Sequence, residues 1–373
     1  MAHPLDEIAP ITGFEGSKQG GIHRDAEKEE SIAPQVIFSD SKEETRERGQ
    51  ELAQSLSDSD CHPVLLFGGA TSGKTTILLS LLKYINTVKE ANATISLQTD
   101  ALPPGDKWNV RRTNAETLYN KDAYGFVRQQ APSATNASDP FFIPVEIIPQ
   151  GAPPKKFAFL EGQGDWYHAD WDRSNPHREF RVDITEFLRT FTRPVSVIYV
   201  APYAVGGYKS AEISEAAKSN KLIQEVDYAL SGIISQYENL RRTFTHRDQH
   251  LFLLTKWDIR CGSIAQPQFT NYLEVLDEEI EKKYPLSFKR FGSIISGVSA
   301  PNNKVKGAYC AGIFNENRRI APLANSDKES LDLFPRELWD WIYFSACQTP
   351  LYEDVRAKPL SVFDKMMQLI RGD

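Results

Sequence analysis

The segment from Gly68 to Thr75 constrains the fold more than any other part of the sequence. It reads Gly-Gly-Ala-Thr-Ser-Gly-Lys-Thr and fits the pattern G-x-x-x-x-G-K-[ST]. The apolar run Pro63–Phe67 before it predicts a buried strand, and the run Thr76–Leu82 after it predicts an apolar helix. A loop in this position presents backbone N–H groups and the positive end of a helix dipole to an anion. We therefore predict a phosphate-binding loop, the alternative being a tight strand-to-helix turn that binds nothing.

The residues of this loop suit that chemistry. Gly68 and Gly73 allow a close approach of the backbone to phosphate that a Cβ atom would obstruct. Lys74 is expected to neutralise the β- and γ-phosphates as a catalytic residue, and the Thr75 hydroxyl is expected to ligate Mg²⁺. The predicted nucleotide-binding residues of the loop are Gly68, Gly69, Ala70, Thr71, Ser72, Gly73, Lys74, Thr75 and Thr76.

Strand and helix patterns alternate after the loop, which is typical of an α/β fold. We predict a mostly parallel sheet with helices on both faces, and one antiparallel hairpin strand closed by the turn-rich residues 149–154. The predicted strands are Phe141–Ile148, Lys156–Leu160, Val195–Ala201, Leu251–Thr255 and Ser293–Ser296. The predicted helices are Lys42–Ser55, Lys218–Arg242, Gln268–Lys283 and Ser330–Ser345.

Three regions follow from these patterns. Residues 1–33 are polar and mixed in charge, so we predict a flexible N-terminal arm. Residues 34–305 are expected to form the phosphate-loop domain, with insertions near residues 87–135 and 165–215. Residues 306–373 are expected to form a helical extension at the C-terminus.

Composition and charge exclude several classes of protein. The formal net charge is −7, which does not favour a nucleic-acid partner. The four cysteines are far apart and form no C-x-x-C pair, so neither a zinc module nor a disulfide framework is predicted. Because no apolar run reaches the roughly 18 residues of a membrane span and the first residues lack a signal-peptide pattern, we predict a cytoplasmic location.

A second motif indicates which base is bound. The apolar run 251–254 leads into Thr255-Lys256-Trp257-Asp258, which has the form T-K-x-D. A carboxylate at Asp258 can accept hydrogen bonds from N1–H and the exocyclic amine of guanine, whereas adenine offers neither donor there. Lys256 is expected to lie along the base, and Thr255 to hold the loop. An ordinary solvated loop after a strand is the alternative.

A third motif lies between these two. Glu161-Gly162-Gln163-Gly164 follows an apolar strand and has the form acidic-x-x-Gly, in which the carboxylate reaches Mg²⁺ through water and the glycine N–H contacts the γ-phosphate. In the GTPases whose acidic-x-x-Gly motif this segment resembles, a glutamine that orients the attacking water often stands at the position of Asp165, and Gln163 lies two residues before it. We therefore name Gln163, Gly164 and Asp165 as catalytic candidates and Glu161 as a metal ligand.

Two shorter matches complete the set. Thr135, in a loop before the strand Phe141–Ile148, is the predicted switch threonine that completes the Mg²⁺ shell. Ser299 and Ala300 follow the predicted strand Ser293–Ser296 and are predicted to contact the base. The rivals of Thr135 are Ser133, Ser138 and Thr113.

The order of these motifs resembles that of P-loop GTPases of the translation-factor-related class. The T-K-x-D segment is a close variant of the N-K-x-D box of those proteins, and Glu161 occupies the position of their usual aspartate. The long gaps between the motifs are similar to those of the bacterial double-GTPase, or GTPase-associated system, family. The resemblance covers roughly residues 60–305 and implies a Ras-like P-loop fold with insertions.

The resemblance also implies a function. It points to a Mg²⁺-dependent switch that binds GTP and GDP and hydrolyses GTP slowly unless a protein partner, a second GTPase or an effector, completes the site. For the double-GTPase family the setting is a bacterial defence or conflict system. The alternatives are an ATP-using P-loop enzyme, in which T-K-x-D is accidental, and a nucleotide-bound scaffold without turnover.

Overall fold

One mixed sheet organises the part of the chain that the structure describes. Its seven strands lie in the order β2-β3-β4-β1-β5-β6-β7. In chain order they are β1 Cys61–Phe67, β2 Ala93–Leu97, β3 Phe141–Pro149, β4 Lys155–Glu161, β5 Ser196–Pro202, β6 Gln249–Thr255 and β7 Lys306–Tyr309. Five strands from β4 to β7 are parallel, and β3 runs antiparallel to its two neighbours. The predicted α/β P-loop fold class is thereby confirmed.

The computed structural model describes residues 41–69, 72–88, 91–123, 126, 140–162, 180–205, 213–261, 273–299, 304–312 and 325–352. The predicted arm, residues 1–33, lies outside these ranges. The helices are α1 Lys42–Asp58, α2 Lys74–Thr87, α3 Asn109–Thr117, α4 Val182–Thr190, α5 Ile213–Leu240, α6 Trp257–Cys261, α7 Leu273–Lys283, α8 Pro285–Ile295 and α9 Asn325–Cys347. No helix among the described residues is long and apolar enough to cross a membrane.

Strand β1 lies inside the sheet, between β4 and β5, and all seven of its residues are buried. An uninterrupted buried run is typical of parallel strands that are covered on both faces. Val64 pairs with Phe159 of β4 on one side and with Ser196 of β5 on the other. The loop after β1 therefore leaves the sheet between two parallel neighbours.

Helices cover both faces of the sheet. Phe67 and Tyr199 pair across β1 and β5 and point to one face, where Phe67 lies 6.0 Å from Tyr237 of α5, measured between ring centroids. Val64 is three residues earlier and points to the opposite face. Its partner Phe159 lies 5.5 Å from the Trp339 ring of α9 on that face.

The described residues correct one predicted strand and add two strands to the sheet. The strand predicted at Ser293–Ser296 is wrong, because these residues belong to helix α8 and the turn that follows it. Asp227 of α5 accepts hydrogen bonds from the backbone N–H groups of Leu286 and Ser287, and so caps the start of that helix. Strands β2 and β7 were not predicted. Since β7 begins at residue 306, the sheet continues past the domain boundary that we predicted at residue 305.

A buried ion pair fixes the amino ends of β5 and β6. Arg241 and Asp248 are both fully buried, and their nearest side-chain atoms lie 2.8 Å apart. The Tyr237 hydroxyl donates to Asp248 at 2.7 Å, and the Val195 N–H donates to it at 3.1 Å. Strand β6 begins beside this network and ends at Thr255, the first residue of the T-K-x-D segment. The network therefore helps to position that segment at the carboxyl edge of the sheet.

We expect Asp248→Asn to lower the free energy of unfolding by about 3 kcal/mol, because it leaves Arg241 buried with an uncompensated charge. Asp60→Asn is the matched control: Asp60 also contacts two cations, Lys155 and Arg193, but its side chain is 72% exposed. Its loss should stay below about 1 kcal/mol. Urea unfolding of both variants measures the difference, and equal losses would contradict the structural role of the buried pair.

Candidate functional site

The predicted phosphate loop lies at the carboxyl edge of the sheet, between the end of β1 and the start of α2. Gly73 precedes α2 with φ of 98°, a left-handed conformation that glycine adopts without strain. No described side chain caps this helix. The backbone N–H groups of its first turn have no acceptors within the helix, so this end is suited to an anion.

Gly68 is required because β5 lies against it. A Cβ atom at this position would lie 2.5 Å from the carbonyl oxygen of Val200 and 2.8 Å from Oγ of Ser72. Gly69, in contrast, has no heavy atom of the described residues within 4 Å of the position that its Cβ would occupy. Gly68 therefore allows the loop to lie against β5, whereas the described residues leave room for a side chain at Gly69.

The ammonium group of Lys74 is held against the loop backbone. Its Nζ atom donates to the carbonyl oxygens of Gly68 at 2.8 Å and Gly69 at 3.0 Å, and the residue is 6% exposed. These contacts bring a positive charge to the loop. A buried ammonium group beside a helix N-terminus favours a negatively charged ligand.

Thr75 and Glu161 form a pair of hard oxygen ligands. The Thr75 hydroxyl donates to Oε1 of Glu161 at 2.6 Å, and Glu161 is 1% exposed at the end of β4. Among the described residues, no group of three or more His, Cys, Asp or Glu side chains could hold a metal ion. One hydroxyl and one carboxylate fit Mg²⁺, which takes few protein ligands when phosphate oxygens complete its shell.

Ser72 also fits a phosphate ligand. It is 1% exposed, and its Oγ atom has no hydrogen-bond partner among the described residues. A buried hydroxyl without a partner is costly, so a ligand oxygen that accepts its proton would stabilise it.

One hydrogen bond ties the T-K-x-D segment to the phosphate loop. The Thr255 hydroxyl donates to the carbonyl oxygen of Ser72 at 2.6 Å. Both residues are buried. The two motifs, more than 180 residues apart in sequence, therefore lie at the same edge of the sheet.

Asp258 lies in the first turn of α6 and is 7% exposed. Burial raises the pKa of its carboxyl group to about 6, although Cys310 and Lys256 lower it in part. The Cys310 thiol donates to Oδ1 at 3.5 Å. A buried carboxylate whose pKa is raised is typical of a binding site and can discriminate between ligands by their hydrogen-bond donors.

Lys256 has a left-handed backbone conformation. Its φ of 57° is unusual for a residue other than glycine and is one way in which sites hold a side chain in place. Its Nζ atom donates to the carbonyl oxygen of Ala204 at 3.0 Å, just beyond β5. Burial lowers the pKa of this ammonium group.

The structure does not bring Ser299 to Asp258. The Ser299 N–H donates to the carbonyl oxygen of His246 at 2.9 Å, before the start of β6. Strand β6 has seven residues, so this edge lies about 20 Å from Thr255. The residues that reach Asp258 are instead those after β7, beginning with Cys310.

Sequence reasoning missed Cys310, although a weak signal was present. Gly307-Ala308-Tyr309 is a short run that leads into the small residues Cys310-Ala311-Gly312. Because β7 is parallel to β6, with Tyr309 beside Thr255, its carboxyl end must come to the same edge. Cys310 therefore lies at the edge that carries Asp258, whereas Ser299 does not.

Several predicted site residues lie outside the described ranges. They are Ala70, Thr71, Thr135 with its rivals Ser133 and Ser138, Gln163, Gly164, Asp165 and Ala300. The remaining rival, Thr113, is exposed in helix α3.

Comparison with known proteins gives little beyond the geometry. No family model matches the chain, and no curated protein matches it. Among solved structures, a dimerization-deficient mutant of Toc33 from Arabidopsis thaliana matches at 12% identity over 82% of this chain and 93% of that chain, with a TM-score of 0.26. Values this low carry no argument about function.

We expect Gly68→Ala to lower the free energy of unfolding by about 1–3 kcal/mol, because the added Cβ must displace the loop from Val200. Gly69→Ala adds the same atom into open space and should change stability by less than about 0.5 kcal/mol. Urea unfolding of the two variants makes the comparison. A loss at Gly69 as large as that at Gly68 would show that the loop does not lie against β5.

Proposed function

We propose that the protein binds GTP and GDP with Mg²⁺ at this edge of the sheet and acts as a molecular switch that hydrolyses GTP slowly. The observation that carries the proposal is the Thr255–Ser72 hydrogen bond, which joins the strand leading to Asp258 to the phosphate loop. A nucleotide needs both elements, one for its base and one for its phosphates. The same edge supplies Lys74 and the Thr75–Glu161 pair.

Asp258 supports the choice of guanine. Its ionised carboxylate accepts hydrogen bonds and donates none, which matches the adjacent N1–H and amine of guanine. The Cys310 thiol is a weak donor to Oδ1, so the N1–H and amine of guanine would be stronger donors to the same carboxylate. Adenine would leave a buried carboxylate without these donors and is therefore disfavoured.

Thr75 and Glu161 would hold Mg²⁺ together with the phosphate oxygens. When bound, the metal supplies positive charge that neutralises those oxygens. Ser72 offers a buried hydroxyl, and Lys74 offers an ammonium group already fixed by two carbonyl oxygens. These side chains bind and orient the phosphates without a large rearrangement of the loop.

Hydrolysis is the part of the proposal that depends on residues outside the described ranges. Thr135 stays the predicted switch threonine, and Gln163, Gly164 and Asp165 stay the predicted catalytic residues near the attacking water. We propose that a protein partner stimulates the reaction. The resemblance to the double-GTPase family supports a second GTPase or an effector in a bacterial defence system.

An arginine can stabilise the charge that develops during GTP hydrolysis, but Arg111 of α3 is already held in a buried ion pair. Its guanidinium group is 2.9 Å from Asp183, and both side chains are buried. A buried pair of this kind is strongly destabilised when one partner is withdrawn. The stimulating charge would therefore have to come from elsewhere in the chain or from the partner.

We expect the wild-type protein to bind GTP and GDP at least about tenfold more tightly than ATP. Asp258→Asn should reverse the preference toward xanthine nucleotides, because an amide can accept from N1–H and donate to the C2 carbonyl of xanthine. Lys74→Ala is the control that should weaken every nucleotide regardless of its base. Competition against a fluorescent nucleotide with Mg²⁺ measures all three proteins.

Two outcomes of this experiment favour other functions. Equal binding of ATP and GTP, unchanged in Asp258→Asn, would indicate an ATP-using P-loop enzyme. Guanine-selective binding without phosphate release, even with a cognate partner present, would indicate a nucleotide-bound scaffold.

Guanine selectivity should fall at low pH. Because burial raises the pKa of Asp258 to about 6, a proton occupies the carboxylate below that pH and base binding must expel it. The ratio of GDP affinity to ADP affinity should decrease by up to about tenfold per pH unit below 6. GDP and ADP carry the same diphosphate group, so protonation of the phosphates changes both affinities equally and leaves their ratio unchanged. A ratio that stays constant from about pH 7.5 to 5 would contradict a role for the Asp258 carboxylate in reading the base.

A further inference from the structure

Tyr309, the last residue of β7, contacts the middle of the phosphate-loop helix. Its hydroxyl group forms a short hydrogen bond with Oγ of Ser80 in α2, and both residues are buried. Ser80 gives its own proton to the carbonyl oxygen of Ile77 at 2.8 Å. A serine hydroxyl has a single proton, so Tyr309 is the donor in the contact between them. Burial raises the pKa of the Tyr309 phenol, so the group keeps the proton that it donates.

Tyr309 stands beside a second link to the same loop. It pairs in register with Thr255 of β6, and paired residues of parallel strands point to one face. Thr255 holds the carbonyl oxygen of Ser72 before α2, whereas Tyr309 holds Ser80 within it. Ser80 lies about 9 Å along the helix from Lys74, at 1.5 Å per residue. Strands β6 and β7 therefore hold the phosphate loop and its helix at two separate points.

The strands that carry these links also carry the base site. Cys310 directly follows Tyr309 and donates to Asp258, which lies three residues after the end of β6. On its other side, α2 is held by α9, since Nε1 of Trp339 donates to the carbonyl oxygen of Leu81 at 2.9 Å. A shift of α2 along its axis would break the contacts at Ser80 and Leu81 together.

We propose that Tyr309 is a positioning residue that fixes the separation between the base pocket and the phosphate loop. The inference rests on the proposed nucleotide function and deepens it. The ligand concerned is one that spans both half-sites, a guanosine di- or triphosphate. Once one end of such a ligand is bound, the fixed spacing gives the other end a high effective concentration. A ligand that engages the phosphate loop alone gains nothing from this spacing.

Tyr309→Phe tests the proposal because it removes one hydroxyl group and keeps the ring. We expect GDP affinity to fall about tenfold, the size of one lost buried hydrogen bond, whereas the affinity for inorganic pyrophosphate should change by less than about twofold. Both are measured by competition against a fluorescent guanine nucleotide with Mg²⁺. The quantity compared is the ratio of the GDP affinity to the pyrophosphate affinity. A general loss of stability would lower both affinities and leave this ratio unchanged.

Tyr343→Phe is the matched control. The Tyr343 hydroxyl of α9 donates to the carbonyl oxygen of Pro153 at 2.6 Å, in the turn between β3 and β4. Its removal should lower the melting temperature to a similar extent and leave the GDP-to-pyrophosphate ratio at the wild-type value. Should Tyr309→Phe fold poorly, Ser80→Ala removes the same contact from the other side and should give the same fall in the ratio. The double variant should then lose no more than either single one.

The outcomes separate this inference from the function on which it rests. Wild-type protein that shows no preference for GDP over ADP would overturn the proposed function and this inference with it. Wild-type protein that binds GDP selectively, with an unchanged ratio in Tyr309→Phe and Ser80→Ala, would overturn the role of Tyr309 alone.

Discussion

The close approach of the loop after β1 to the backbone of β5 is the constraint on which the site depends. Strand β1 pairs with β4 and β5 in parallel, so its carboxyl end lies between two strands that both come later in the chain, where the strand order of the sheet reverses. Such a position is where α/β sheets bind ligands. The loop can occupy it because Gly68 has no side chain to meet the carbonyl oxygen of Val200. Lys74 and Thr75 owe their places to that contact, since both follow the loop directly.

Buried charges in this protein serve two different purposes, and their partners distinguish them. Arg241 and Asp248 neutralise each other at the amino edge of the sheet, as buried charges in a structural role must. Asp258, at the carboxyl edge, accepts its hydrogen bond from a thiol, and burial is the largest cause of its raised pKa. Keeping a carboxylate in such a place has a cost in stability. A ligand that supplies hydrogen-bond donors offsets this cost, which fits a binding role better than a structural one.

The sequence predicted the fold where the patterns were long and the ends were marked. The run Pro63–Phe67 lies within β1, and the run Leu251–Thr255 lies within β6, because buried parallel strands are continuously apolar. Strand β2 has the alternation of a half-buried strand, yet we assigned it to a weakly periodic insertion. Strand β7 has only four residues, including a lysine and a glycine, so it has no pattern to recognise.

The proposed base site was only partly predictable, for a physical reason. Asp258 could be named from the sequence because its motif is local, whereas the contact with Cys310 joins residues 52 positions apart and depends on the register of β7 against β6. The incorrect strand at Ser293–Ser296 hid that register, since it placed the last strand too early in the chain. Phe291 and Ile294 in fact have helical spacing, and both are buried in α8.

Thr255 stands where the N-K-x-D box of the P-loop GTPases that the sequence resembles has an asparagine, and this difference gives the Tyr309 contact its significance. An asparagine amide has two protons to donate, whereas a threonine hydroxyl has one. Thr255 places that proton on the carbonyl oxygen of Ser72 at 2.6 Å, and its distance to the carbonyl oxygen of Ala201 is 3.5 Å, too long for a strong second bond. A site built on threonine has one strong link between the base strand and the phosphate loop. Tyr309 pairs with Thr255 in the register of β7 against β6. Its hydrogen bond to Ser80 adds a second link, from β7 to the phosphate-loop helix α2.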